Sequence, residues 1–277
     1  MTQSVDKTLR DAAALHKAGR IAEAIKLYQA VLTKFPKNPR ALKALAMLKG
    51  VSAPARPGQM PLTEFNALKK QYQKENFIDL ANQAQGLANA FPKDKALLNL
   101  LGSVFNQLNQ AQAAITLLSG ALRLDKFFID AQFNLGIAHQ KNQDLANAIA
   151  CFQNVIELAP NNSAAHFKLA NAFRANSEFQ KAIKAFLKTL KLQPENYITS
   201  LNLGRAYKEN GDFQAAFNAF RKVISMQPEF SEAHNDLGLT LYGQGKLETA
   251  LKSYQKAVDL NPNYADAYNN MGVAHQE

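Results

Sequence analysis

SLNLGRAYKENGDFQAAFNAFRKVISMQP, Ser200 to Pro228, holds the pattern that decides the fold. Two apolar-periodic segments flank the turn signal ENGD, 209–212, and the second closes at Pro228. Working outward, prolines recur at 92, 160, 194, 228 and 262, spaced by 34 residues or a multiple of it, and Lys126 fills the vacant slot. Counting the proline as position 32, position 8 holds Gly102, Gly136, Ala170, Gly204, Gly238 and Gly272. Position 20 holds Ala114, Ala148, Ala182, Ala216 and Ala250; position 24 holds Leu118, Phe152, Phe186, Phe220 and Tyr254. Small residues at 8 and 20 let two antiparallel helices approach closely, while the large residue at 24 fills the space beside them. Each unit therefore reads as a helical hairpin, and the array as an internal repeat.

These positions, an L-G pair followed by Y, A, F and P in frame, resemble the tetratricopeptide repeat family over almost the whole chain. The resemblance implies an all-α fold: a right-handed superhelical solenoid of antiparallel helix pairs, with the first helix of each repeat lining a concave groove. Residues 59–92 depart from the pattern, because Leu68 and Leu80 stand where the small residues belong, so that hairpin is expected to pack more loosely.

Upstream, Ala12, Gly19, Ala24, Tyr28 and Pro36 place another unit in frame, followed by a lone helix at 39–49. The frame then breaks at VSAPARPGQMP, 51–61, which cannot continue a helix and reads as a linker. Three regions follow: a basic N-terminal unit with an extra helix over 1–50, the linker over 51–61, and a solenoid of about six repeats plus a half repeat over 62–277. The closing NNMGVAHQE, Asn269 to Glu277, nearly repeats FNLGIAHQK, Phe133 to Lys141, and has no second helix after it. The sequence thus reads as a fragment of a longer polypeptide, with Met271 and Val273 in want of a cover. Those faces and the linker are places where copies could associate.

Composition narrows the function. No apolar run approaches the roughly 18 residues of a membrane helix, and the N-terminus lacks the apolar core of a secretory signal. A single cysteine, Cys151, excludes an intramolecular disulfide framework, and the cytoplasm is the expected compartment. Of the formal charge of +10, residues 1–50 carry ten Lys/Arg against three acids. Basic residues are not spread along a groove with aromatics between them, which argues against a nucleic-acid partner.

No HExxH, CxxC, GxSxG or Walker sequence occurs, so neither an enzyme nor a cofactor or metal site is expected. His166 and His234 share position 4, and His139 and His275 share position 11, so each pair reads as structural filling. Recognition is the better reading. Position 6 supplies Asn66, Asn134, Asn202 and Asn270, amides that can both donate to and accept from a peptide backbone. This is similar to part of the asparagine ladder in the superhelix of O-GlcNAc transferases, although only alternate repeats contribute here. Lys168, Arg174, Arg205 and Lys208, with Asn171, form a basic stretch opposed only by Glu209, while Glu232, Asp236 and Asp266 make the next repeats acidic. Phe133 and Phe167 lie beside the basic stretch as an apolar anchor. Asn171, Asn202 and Arg205 also resemble carboxylate-clamp repeats, without the matching lysines.

The expected function is a non-catalytic scaffold that binds a protein or peptide with an acidic, partly apolar segment in the concave groove. The alternative is the substrate-recognition arm of a larger enzyme. The N-terminal repeat, the proline-rich break and the second repeat block resemble regions that precede sulfotransferase, glycosyltransferase or iron-dependent oxygenase domains in bacterial proteins.

Overall fold

Period and punctuation produce the helices where the 34-residue frame places them. The computed structural model describes residues 2–18, 20–48 and 58–276. Among these residues there are sixteen helices and no strand, in two compact units, Met1–Leu108 and Asn109–Glu277.

The first unit opens with α1 (Thr2–Lys17), α2 (Ile21–Lys34) and α3 (Pro39–Leu48). Their small residues, Ala12, Ala24 and Ala41, are buried with Leu9, Tyr28, Val31 and Leu45 in one core. The expected linker is described only from residue 58, and residues 51–57 lie outside the described residues. Its end is anchored: the Met60 amide donates to Asp94 Oδ2 at 3.0 Å, the Lys93 amide donates to the Gly58 carbonyl at 3.2 Å, and Met60 is buried. There follow α4 (Leu62–Gln73), α5 (Phe77–Ala90) and α6 (Lys95–Gln107). Leu68 and Leu80 are both buried, and the α4 and α5 backbones approach closely over a much shorter length than in the other hairpins. Two leucines in place of a glycine and an alanine hold the helices apart, as their volume requires.

The second unit begins with α7 (Ala111–Leu124) and continues through the pairs α8 (Ile129–Lys141) and α9 (Leu145–Leu158), α10 (Ser163–Ala175) and α11 (Phe179–Leu192), α12 (Tyr197–Glu209) and α13 (Phe213–Met226), and α14 (Ser231–Gly243) and α15 (Leu247–Leu260). It closes on α16 (Ala265–His275). Position 8 works by contact. A Cβ built on Gly136, Gly204 or Gly238 would lie 2.5–2.6 Å from the ring of Phe152, Phe220 or Tyr254, respectively. At these three positions the ring at position 24 fills the space a side chain would take, and all three rings are fully buried; in α10 and α11 Ala170 and the equally buried Phe186 share one core.

The turn inside each hairpin is as regular as the packing. Gln143, Ser177, Gly211 and Gly245, one per hairpin, all have φ between +58° and +84°. This left-handed residue reverses the chain before Asp144 or Asp212 caps the next helix through a backbone amide at 3.0–3.2 Å. Within the second unit, each first helix approaches the next first helix (α8 to α10, α10 to α12, α12 to α14, α14 to α16), with no comparable approach between second helices among the described residues. A stack that is tighter along one side curves toward it, so the first helices line the inner side. That arrangement exposes positions 6, 9, 12 and 13 of successive helices to one another.

Candidate functional site: the inner face of the second unit

Asparagine caps fix where the inner helices begin. Asn162 Oδ1 accepts from the Ala165 amide at 3.0 Å at the start of α10, and Asn196 Oδ1 accepts from the Thr199 amide at 2.9 Å at the start of α12. Each cap satisfies an orphan amide and sets the rotation of its helix. As a result Lys168, Asn171 and Arg174 of α10, and Asn202, Arg205, Lys208 and Glu209 of α12, follow the same inner face.

The electrostatics of this face differ from the expectation. Asp236 of α14, expected to belong to a separate acidic stretch, lies beneath the basic residues: Arg205 Nε is 2.6 Å from its Oδ2 and Lys208 Nζ is 3.4 Å from its Oδ1. The Asp236 side chain is only 6% exposed, so its charge is held by those two cations. Arg174 Nη1 pairs with Glu209 Oε1 at 3.0 Å. Three of the four expected cations are therefore neutralised between adjacent repeats. Lys168 is the exception. It is half-buried with no carboxylate in ion-pair range among the described residues, and burial, together with the nearby Lys141 charge, pushes its pKa down.

One further expectation changes. Phe133 and Phe167 are not exposed anchors. Both are half-buried and set edge-on to core rings, Phe133 to Phe152 at 5.8 Å and Phe167 to Phe186 at 5.9 Å between centroids. They sit at the rim of the core formed with Leu169, Phe173 and Leu203. The position-6 asparagines fall in both units. Asn66 is exposed on α4 in the first unit, whereas Asn134, Asn202 and Asn270 are half-buried in the second. Asn171 and Asn202 each donate one Nδ2 hydrogen to the carbonyl one turn back, Phe167 O at 3.0 Å and Ile198 O at 2.8 Å. Their Oδ1 atoms and second N–H groups remain for a ligand.

Beyond the ion pairs lies a cavity of about 430 Å³ lined by Arg205, Lys208, Asp236, Tyr264, Asp266 and Asn270, among others. Asn235, buried beneath it, joins the walls: its Nδ2 donates to Tyr264 Oη at 3.4 Å and its Oδ1 accepts from Asn270 at 2.9 Å. Burial pushes the Tyr264 pKa up, helped by the charge of Asp236. Asn235 and Tyr264 lie outside the set of residues expected from sequence. A signal was present at position 5, where Phe133, Phe167 and Leu201 give way to Asn235 and Asn269.

The candidate reactive groups have structural partners. His166 Nε2 lies 2.9 Å from the Pro160 carbonyl and His234 Nε2 lies 2.8 Å from the Pro228 carbonyl, so both position-4 rings brace the repeat junction. His139 Nδ1 lies 3.0 Å from Asp144 Oδ2, at the cap of α9. Cys151 is buried, and desolvation pushes its thiol up to about 11, which suppresses the nucleophilic thiolate. Among the described residues no three His, Cys, Asp or Glu side chains are grouped as metal ligands, and no helix is long and apolar enough to cross a membrane.

Comparison with known proteins agrees with this geometry. Models of the TPR repeat match residues 204–245 and 239–277, and models of the tetratricopeptide repeat match residues 133–197 and 12–48. No curated protein matches the chain. Solved structures that resemble it include MamA residues 41 to end from Desulfovibrio magneticus RS-1, with a TM-score of 0.59 and 19% identity over 62% of this chain and 97% of that one. YrrB, described as a TPR protein with an unusual peptide-binding site, gives a TM-score of 0.58 at 17% identity, covering 67% of this chain and 96% of its own. A tetratricopeptide repeat protein from Parabacteroides merdae ATCC 43184 aligns over 99% of both chains with a TM-score of 0.54 and 15% identity. At these identities the structural likeness speaks to fold alone. With repeat models covering well over half of its length, and with the small-residue and aromatic contacts repeated in hairpin after hairpin, the chain belongs to the tetratricopeptide repeat family.

Proposed function

We propose that this chain is a non-catalytic scaffold that holds an extended segment of a protein partner against the inner face of its second unit, centred on Lys168. The observation that carries this reading is the contrast among the cations. Arg174, Arg205 and Lys208 are paired, whereas Lys168 is half-buried, without a carboxylate and repelled by Lys141. A carboxylate supplied by a partner relieves both the desolvation and the repulsion, so the segment is acidic at this point. The Oδ1 atoms of Asn171 and Asn202 can accept from its backbone amides. Phe133 and Phe167, each half-buried beside this face, leave a small apolar flank. That YrrB, a relative in fold, is described as having a peptide-binding site supports the same use of the fold here.

The test is selection of peptides from a randomised 12-residue library against the whole chain, followed by kinetics on synthetic versions. The selected peptides are expected to be rich in Asp or Glu with apolar residues nearby. Lys168→Glu is expected to weaken them by roughly tenfold at low salt, mainly through slower association and with a shallower salt dependence. Phe167→Ala is expected to act on dissociation, with circular dichroism confirming that both variants are folded. Selected peptides that bind Lys168→Glu as tightly as the parent would place recognition on another surface.

A further inference from the structure

The second helices of the second unit lie on its outer side, and two of them differ in charge from their neighbours. Helix α11 carries Lys181, Lys184, Lys188 and Lys191 and no acid, and α13 carries Arg221 and Lys222 and no acid. To either side this single sign is lost: α9 has one acid, Glu157, and no cation, and α15 balances Lys252 and Lys256 with Glu248 and Asp259. Lys184, Leu187, Lys188 and Lys191 follow the i, i+3, i+4, i+7 spacing of one helix face, opposite the buried Ala182, Phe186 and Thr189. Leu187 is 46% exposed in the middle of that face. Lys222 Nζ donates to the Pro194 carbonyl at 3.4 Å, which ties the cations of α13 to the C-terminal end of α11. Lys181 pairs with Glu178, and the Arg221 guanidinium lies over the Phe217 ring, 5.7 Å from its centroid. Lys184, Lys188 and Lys191 have no carboxylate in ion-pair range among the described residues.

We propose that the outer face of α11 and α13 docks this protein on an anionic lipid bilayer, with the lysines among the headgroups and Leu187 at the boundary of the acyl region. Like charges one turn apart on a helix repel, so the unpaired Lys184, Lys188 and Lys191 destabilise α11 until an anionic surface relieves them. The chemistry of the patch selects the kind of surface. Protein interfaces are enriched in aromatic residues and arginine and depleted in lysine, whereas this patch is mostly lysine and neither helix exposes an aromatic side chain. A single nucleic-acid strand calls for aromatic stacking platforms, and a duplex backbone offers nothing to an exposed leucine. An anionic leaflet suits both features. Ammonium groups on flexible stems follow mobile headgroups without a fixed geometry, and one apolar side chain among them enters the interface. This surface lies on the outer side, away from Lys168 and the inner face, so the inference is independent of the peptide-binding reading.

The test is co-sedimentation of the whole chain with sucrose-loaded vesicles, either of phosphatidylcholine alone or with phosphatidylserine as about a third of the lipid, at about 0.1 M salt. The parent is expected to pellet with the anionic vesicles only, and to be released at about 0.5 M salt, where the charges are screened. Each basic residue near an anionic leaflet contributes about fivefold to partitioning, so Lys184→Glu combined with Lys188→Glu is expected to lower it by at least about twenty-fivefold. The control is Lys252→Glu with Lys256→Glu on α15, which changes the net charge equally away from the patch and is expected to lower partitioning by less than about threefold. Circular dichroism and melting curves verify that both double variants are folded. No pelleting of the parent with anionic vesicles, or an equal loss in the two double variants, overturns the proposal. Retention of a DNA duplex by the parent in a shift assay, lost in the α11 variant and without vesicle binding, assigns the patch to nucleic acid and overturns it equally.

Discussion

Substituting Gly204 separates packing from helix propensity, because the two effects have opposite signs. A Cβ at this position would lie 2.6 Å from Phe220 Cε1 and 2.9 Å from Cδ1 and Cζ. Carbon atoms in contact settle at about 3.5–4.0 Å, so the ring or the helix must retreat by roughly 1 Å. Phe220 has no room for it: the ring is fully buried among Leu201, Ala216, Val223 and Ala233. Overpacking of this kind costs about 1–3 kcal/mol, against which Ala recovers about 1 kcal/mol of helix propensity over Gly. Gly204→Ala is therefore expected to destabilise by about 1 kcal/mol, and Gly204→Leu by about 3 kcal/mol, since its extra carbons point into the same ring. Gly272→Ala meets nothing within 4 Å and gains only the propensity, so it stabilises by up to about 1 kcal/mol, less where the helix end frays. Urea titrations of the three variants measure the signs. Hydrogen exchange in the Gly204 variants should rise mainly over residues 163–262, because a repeat shares its stability with its immediate neighbours. A Gly204→Ala chain as stable as the parent, or exchange that rises equally from the N-terminus onward, would refute the reasoning.

Two other predictions rest on the turns and on buried acids. Gln143 holds φ +60° in the slot that Gly211 and Gly245 occupy in later repeats, so Gln143→Gly is expected to raise the urea midpoint. The left-handed strain it removes is about 1–2 kcal/mol and the added unfolded-chain entropy offsets about half, for a net gain of about 0.5–1 kcal/mol. Burial pushes the Cys151 thiol up to about 11 and the Tyr254 hydroxyl up to about 12, so in both the folded state favours the protonated form. Their contributions are whole below the unfolded values of about 8.5 and about 10 and are lost as pH rises through the folded values. Stability should accordingly decline from about pH 8.5 upward, and Cys151→Ala should remove the decline between about pH 8.5 and about pH 10, below the onset of the Tyr254 contribution. Alkylation of native Cys151 at pH 8 should run about a hundredfold slower than that of the unfolded chain, because so little thiolate is present.

The repeat frame alone determined the helices, their pairing and the contacts that hold each pair, because those depend on residues a fixed distance apart in one hairpin. Gly204 and Phe220 meet wherever a 34-residue unit folds on itself, and the leucines at 68 and 80 marked the hairpin whose helices stand apart. The structural roles of His166 and His234 were legible for the same reason: both occupy one position and reach the proline carbonyl six residues back. What the tertiary structure decided is the inner face, where each residue's neighbours come from the next repeat. Arg205 and Asp236 lie 31 residues apart, and Arg174 and Glu209 lie 35 apart, offsets that belong to the stacking of one hairpin on another. A composition read helix by helix counted Asp236 with its own repeat, whereas its carboxylate reaches back to neutralise two cations of the preceding one. The same stacking turned Phe133 and Phe167 edge-on to the core and left Lys168, of the four inner-face cations, without a carboxylate among the described residues. Charge pairing and side-chain exposure are set by distance in space, which here follows from the rotation between successive hairpins, a quantity that no single repeat contains.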